Sequence, residues 1–132
     1  MLEVKNLTKI YGNDVLALDD VTFQALDGQF LAVIGLSGSG KSTLLRCINR
    51  LVEPTSGQVF WNGVDLTAAP QEELRLVRRR IGMIFQHFNL VTRSSVLTNV
   101  LSGRLGYLNP VWSLVNRFPG EDMNKALSNL ER

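Results

Sequence analysis

Gly35-Leu36-Ser37-Gly38-Ser39-Gly40-Lys41-Ser42 is the run in this sequence whose residue types and spacing speak most directly of chemistry. It satisfies G-x-x-x-x-G-K-[ST], the pattern of loops that cradle phosphate groups. Glycines at 35, 38 and 40 let the backbone curl so that successive N–H groups turn toward phosphate oxygens. A helix that starts directly after the loop adds its positive end. In such an arrangement Lys41 reaches the β and γ phosphates of a nucleoside triphosphate, and the Ser42 hydroxyl is a ligand for Mg²⁺. A merely flexible glycine loop would leave Lys41 and Ser42 unexplained. Two other side chains have a physical case. The flat ring of Tyr11 suits a purine face, a stack worth about 1–3 kcal/mol, although a packed strand residue is the plain alternative. The side-chain amide of Gln86 can bond both a Mg²⁺-held water and a γ phosphate, its plain alternative being a polar loop residue.

The elements around these residues can be read from periodicity. Residues 30–34, Phe-Leu-Ala-Val-Ile, form the short continuous apolar run of a strand buried on both faces, and are expected to be a central parallel strand. A helix is expected over 41–50, with Leu44, Leu45 and Ile48 on one side. Strand, loop, helix is the context that the phosphate-loop pattern requires. Ahead of it, residues 2–8 and 15–25 flank the breaker Gly12-Asn13-Asp14 and read as antiparallel strands with a wet face. Residues 58–61 followed by Asn62-Gly63 carry a hairpin signal. A helix over about 70–80 has Glu72 and Glu73 near its start and Arg78, Arg79 and Arg80 near its end, as the helix dipole prefers. Residues 81–85 read as another buried strand, Ser94 or Ser95 as the cap of a helix running toward Gly103, and 121–132 as a short amphipathic helix.

Composition narrows the class. The chain has 132 residues, 45% of them apolar and 20% charged, and a net charge of +2. This is the make-up of a globular domain, and the weak positive field does not point to nucleic acid as a partner. Cys47 and His87 are the only cysteine and histidine, too few for a zinc site or an internal disulfide. No stretch approaches a membrane-spanning length.

With these residues in view, a family resemblance emerges. The loop over residues 35–43, ending in Thr43, is similar to that of the ATP-binding subunits of ABC transporters, specifically importers. Tyr11 in Lys9-Ile10-Tyr11-Gly12 matches that family's adenine-stacking aromatic. Glu53-Pro54-Thr55-Ser56-Gly57 matches its turn after the nucleotide helix, and Gly82-Met83-Ile84-Phe85-Gln86 matches its Q-loop. The resemblance covers the whole chain; Gly103-Arg104-Leu105-Gly106-Tyr107 and Arg117-Phe118-Pro119 look most like the phosphonate-importer branch. It implies an α/β fold, a P-loop NTPase core of the ABC ATPase type with an N-terminal antiparallel β subdomain, truncated before the Walker B strand. It divides the chain into an antiparallel part (1–30), a P-loop core through the Q-loop (31–93) and the start of a helical subdomain (94–132). The cofactors implied are ATP and Mg²⁺. Gly35, Ser37, Gly38, Ser39, Gly40, Lys41, Ser42 and Thr43 would hold the phosphates, and Tyr11 the base. Lys41 and Gln86 would act in hydrolysis, with Ser42 and Gln86 on the metal. The implied protein partner is a membrane permease, met through the Q-loop and the helical region. That places the chain in the cytoplasm, peripheral at the inner face of the membrane.

Three segments imitate family motifs. Leu16-Ala17-Leu18-Asp19-Asp20 looks like a Walker B strand but precedes the loop, so Asp19 and Asp20 read as turn or surface carboxylates. Leu101-Ser102-Gly103 looks like the start of the signature motif but continues as Arg104-Leu105, and reads as a helix end. His87 adjoins Gln86 and reads as an exposed loop imidazole, not as the switch histidine. The signature motif, Walker B carboxylates and D-loop would all lie further along than residue 132. The expectation is therefore a chain that binds ATP without efficient hydrolysis and does not form the family's ATP-sandwich dimer. The alternatives are an inactive fragment or another P-loop enzyme such as a small-molecule kinase. Unpaired strand edges at 30–34 or 81–85 lead to an expectation of marginal stability.

Overall fold

The computed structural model describes residues 1–86, 89–108 and 118–131. It falls into two compact units, Met1–Ile81 and Gly82–Arg132. In the first, β1 (Leu2–Tyr11), β2 (Val15–Ala25), β3 (Ser56–Trp61) and β4 (Val64–Asp65) form an antiparallel sheet in the order β2-β1-β3-β4. Two helices, α1 (Lys41–Ile48) and α2 (Gln71–Arg78), complete this unit.

Strand β1 carries a spacing that simple alternation does not explain, because Val4 and Leu7 are both fully buried although three positions apart. The register with β2 shifts between them, and Asn6 there has φ 49°. Such a bulge turns the next inward residue back to the core face. Asn and Asp tolerate left-handed backbone better than other side chains, and Asp20 on β2, at φ 46°, accepts a hydrogen bond from Asn6 Nδ2 at 2.7 Å. The Asn62-Gly63 turn joins β3 to β4 with both residues at positive φ, 49° and 83°, as a tight hairpin turn demands.

Val4, Leu7, Leu18 and Val59 from the sheet meet Leu44 and Cys47 of α1, Leu66, and Leu74 and Val77 of α2 in one core. The helical pairs are three residues apart, the spacing that puts both side chains on one face. Burial pushes the Cys47 thiol above its ordinary pKa, so it is a neutral core group. The basic end of α2 has a use beyond its own dipole. Arg78 donates to the carbonyls of Asn49, at 2.9 Å, and of Arg50, which lie just past the end of α1. Arg50 in turn reaches the carbonyls of Leu66 at 3.0 Å and Ala69 at 2.6 Å. The carbonyl end of the helix behind the phosphate loop is thus held by the Arg78 guanidinium, and Arg50, just past that helix, is tied to the segment that leads into α2.

The expected central strand at 30–34 is not formed. No ladder includes these residues, and Phe30 and Ile34 are each 92% exposed. The same correction holds for 81–85, where no strand is assigned and Ile84 is fully exposed. An apolar run becomes a buried strand only between neighbouring strands, and among the described residues every ladder belongs to the antiparallel sheet. This exposed apolar surface leads to a prediction. The 132-residue chain should unfold at low urea concentration, with stability in water below about 5 kcal/mol. Labelling of buried Cys47 by a thiol reagent should follow the same transition. A sharp transition with higher stability and a Cys47 inert throughout the pre-transition region would contradict it.

In the second unit, α3 (Val96–Ser102) is capped by Ser95, whose hydroxyl accepts from Thr98 N–H at 3.1 Å. It ends at Gly103, as the sequence suggests, and a single 3-10 turn, Leu105–Tyr107, follows. Helix α4 (Gly120–Leu130) packs on α3, with Leu101 and Ala126 buried. Arg104 Nε donates to Asp122 Oδ1 of α4 at 2.9 Å. The expected helix start and end at 121 and 132 thus shift to 120 and 130. His87, with Trp112 and Arg117, lies outside the described residues.

Candidate nucleotide-binding site

The phosphate loop is built from the helix backward. Lys41 opens α1, and Gly40 stands at its N-cap position with φ 86°. A Cβ at this position would sit 2.2 Å from the Ala17 carbonyl oxygen of β2. Glycine is therefore required twice at residue 40, by the backbone angle and by the close approach of β2. Gly38 has φ 82° with open space around it, so only the angle selects glycine there. Ser37 and Gly38 form the outer turn, closed by Ser39 N–H donating to Leu36 O at 3.2 Å. That N–H, expected to face a phosphate, is thus committed within the loop. Gly35 keeps room for Ser39, since a Cβ there would lie 2.8 Å from Ser39 Oγ.

The first bond of α1 runs from Leu44 N–H to Gly40 O at 2.8 Å. The N–H groups of Lys41, Ser42 and Thr43 precede that bond and so have no acceptor in the helix. Among the described residues, the other α-helix starts have a side-chain cap or acidic residues to offset their positive ends. Ser95 caps α3, while α2 and α4 carry Glu72, Glu73, Glu121 and Asp122 in their first turns. Helix α1 has neither a capping side chain nor an acidic residue in its first turn. This leaves a positive helix end for an external anion.

Lys41 completes the site. Its Nζ donates to Gly35 O at 2.8 Å, Leu36 O at 2.6 Å and Ser39 Oγ at 3.2 Å. The three ammonium donors are matched by three acceptors of the loop, so the cation is folded across the loop it would serve. A phosphate that took over these bonds would meet a charge already in place.

Tyr11 lies in the same unit as the loop. It ends β1, pairs with Val15 of β2 and is 39% exposed. Ala17, which abuts Gly40, follows Val15 on the same strand, about 7 Å along it. The β1–β2 hairpin therefore places Tyr11 two residues along β2 from the position that abuts the loop. The turn after α1 is latched to the end of β1, with Thr55 N–H donating to Thr8 O at 2.8 Å and Ile10 N–H to Thr55 Oγ1 at 2.9 Å. Gln86 is exposed at a bend in the second unit. Asp19 and Asp20 are exposed on β2, in keeping with surface carboxylates.

The sequence profile of ABC transporters matches residues 18–132. The chain belongs to the ABC transporter family. Among ABC relatives, a phosphonates import ATP-binding protein of Halalkalibacterium halodurans is 50% identical over 132 residues, all of this chain and 51% of that protein. One from a Synechococcus species is 53% identical over 132 residues, all of this chain and 49% of that protein. The chain thus spans about half the length of these curated relatives. Among solved structures, a dimeric post-hydrolysis state of the ATP-binding cassette MJ0796 bound to ADP and Pi superposes with a TM-score of 0.80 at 34% identity. The superposition covers 99% of this chain and 56% of that one. The α/β fold of an ABC cassette is thereby shown, in a chain about half the relatives' length.

Some contributors to this ABC site were not legible in the sequence. The Ala17 carbonyl that fixes Gly40, and the latch of Thr55 onto β1, join residues far apart along the chain, and no spacing rule reports such pairs. The signal that existed for Thr55 was its place in the turn after the helix.

Proposed function

We propose that this chain is the nucleotide-loading part of an ABC importer ATPase subunit. The observation that carries this is the uncapped N-terminus of α1 behind a glycine required both by its backbone angle and by the approach of β2, with the Lys41 ammonium held over the loop. Gly35, Ser37, Gly38, Ser39, Gly40, Lys41, Ser42 and Thr43 would bind the phosphates of ATP, and Tyr11 the adenine. The donor set suits Mg²⁺, which takes hard oxygen ligands and keeps waters. Ser42 offers an exposed hydroxyl in the first turn of α1, and no clustered metal site competes with it among the described residues. Mg²⁺ would neutralise developing phosphate charge in hydrolysis. Gln86 keeps its proposed role at the metal and γ phosphate on the motif alone.

In the proposed assignment residues 1–30 are the antiparallel part, 31–93 the P-loop core and 94–132 the start of the helical subdomain. The solute would be phosphonate or a close analogue, by likeness to relatives whose names carry that activity. The coupling partner would be a membrane permease, met through the Q-loop and helical region at the cytoplasmic face. Among the described residues no helix is long and apolar enough to cross a membrane itself. Calorimetric titration with MgATP tests the proposal. The 132-residue chain should bind one ATP and release phosphate no faster than buffer, because the Walker B carboxylates and signature motif of complete family members lie outside these residues. Absence of ATP binding would reject it, and turnover by the chain alone would reject the limit to binding.

A further inference from the structure

The side chain of Lys9 holds an unusual position beside Tyr11. Residues two apart on a strand share a face, and Lys9 Nζ lies 5.0 Å from the centroid of the Tyr11 ring. The same ammonium donates to the Glu53 carbonyl at 2.7 Å. Glu53 is itself anchored, since both its carboxylate oxygens accept from Arg50 Nε at 2.8 Å. Arg50 is fixed in turn on the carbonyls of Leu66 and Ala69. The cation over the ring is therefore tied at its head to a rigid turn and at its root to β1. Between its two ends, Ile10 N–H donates to Thr55 Oγ1 and closes the same turn onto β1. The ring nevertheless belongs to a residue 39% exposed, which leaves flat apolar area for a ligand.

We infer that Lys9 is a positioning residue for base recognition: pinned on the Glu53 carbonyl, its ammonium holds the Tyr11 ring in the plane against which a purine stacks. The inference rests on the proposed binding of ATP with adenine at Tyr11. An ammonium over an aromatic face is attracted by the ring's quadrupole. A ring already ordered loses less freedom when a base arrives, which strengthens binding without adding a contact to the ligand. Lys9 thereby couples the turn that follows the phosphate-loop helix to the surface that would choose the base.

The test compares MgATP with magnesium tripolyphosphate, which has phosphates and no base. Lys9→Met should weaken ATP binding about threefold to fivefold and leave tripolyphosphate binding unchanged. Lys9→Arg, which keeps a cation able to lie over the ring and donate to the carbonyl, should restore most of the loss. In a Tyr11→Ala background Lys9→Met should have no further effect on ATP, the mark of action through the ring. Equal weakening of both ligands by Lys9→Met would overturn the inference, since general loss of structure gives that pattern; so would unchanged ATP affinity. If Tyr11→Ala selectively weakens ATP while Lys9→Met does not, the role of Lys9 alone falls. If Tyr11→Ala leaves the preference for ATP over tripolyphosphate intact, the assignment of adenine to Tyr11 falls with it. Failure of the unaltered chain to bind either ligand would remove both.

Discussion

Lys41→Ala is expected to weaken MgATP binding by about 30-fold to 1,000-fold, equivalent to roughly 2–4 kcal/mol, because it removes the cation proposed to bond the charged phosphate oxygens at the mouth of the loop. The unliganded protein should barely change. The Lys41 ammonium bonds acceptors of an exposed loop, Gly35 O, Leu36 O and Ser39 Oγ, and water can replace it at each. Hydrogen bonds at such sites contribute little net stability, in contrast to buried ones that cannot be re-solvated. The two consequences separate binding from folding. Calorimetric titration should show the lost affinity while the urea midpoint stays within experimental scatter. Lys41→Arg keeps the charge but replaces a compact ammonium by a broad planar fork, and should recover only part of the affinity. Unchanged ATP affinity in Lys41→Ala would remove the loop from the nucleotide site altogether.

Gly40→Ala should be far more damaging than Gly38→Ala, although the two glycines have nearly the same backbone angle, φ 86° and 82°. At Gly38 nothing lies within 4 Å of the added carbon, so the substitution costs about 1–2 kcal/mol for left-handed strain. At Gly40 the same carbon meets the Ala17 carbonyl oxygen at 2.2 Å and a Leu18 methyl at 3.2 Å. Backbone cannot give way as a side-chain tip can, so the start of α1 must move off β2. The overpacking term adds about 1–3 kcal/mol, which a chain of low stability cannot absorb. Gly40→Ala should therefore expose Cys47 to thiol reagents without urea, and lose ATP binding. Gly38→Ala should keep Cys47 protected in native buffer. Equal behaviour of the two variants would show that α1 is not seated against β2 at Gly40.

These variants also mark where local sequence stops being informative. The G-x-x-x-x-G-K-[ST] pattern, the Asn62-Gly63 hairpin, a serine cap at 94 or 95 and a helix behind the loop with Leu44 on its inner face were legible, although Leu45, expected beside Leu44, is 50% exposed and the buried partner is Cys47. Each depends on residues a few positions apart, whose backbone angles and side-chain directions follow from local sterics and hydrogen bonding. The placement of Arg78 was half legible. Its attraction to a helix carbonyl end is a general property of cations, but the end it serves belongs to α1 rather than to its own helix. The bulge at Asn6 was hidden in the uneven spacing of Leu2, Val4 and Leu7, which becomes intelligible once Asp20 is seen opposite it.

The sequence by itself determined that this protein has a phosphate loop joined to a helix, a family to which that loop belongs, and an antiparallel β portion before it. Only the tertiary structure decided that Gly40 is held by the Ala17 carbonyl, that Lys9 links Tyr11 to Glu53, and that residues 30–34 and 81–85 stand outside every ladder. The physical reason is that a local pattern fixes which angles a chain prefers and how strongly a side chain avoids water. Which group it meets is set by elements that arrive from elsewhere in the chain, and an apolar run stays exposed when none of them arrives.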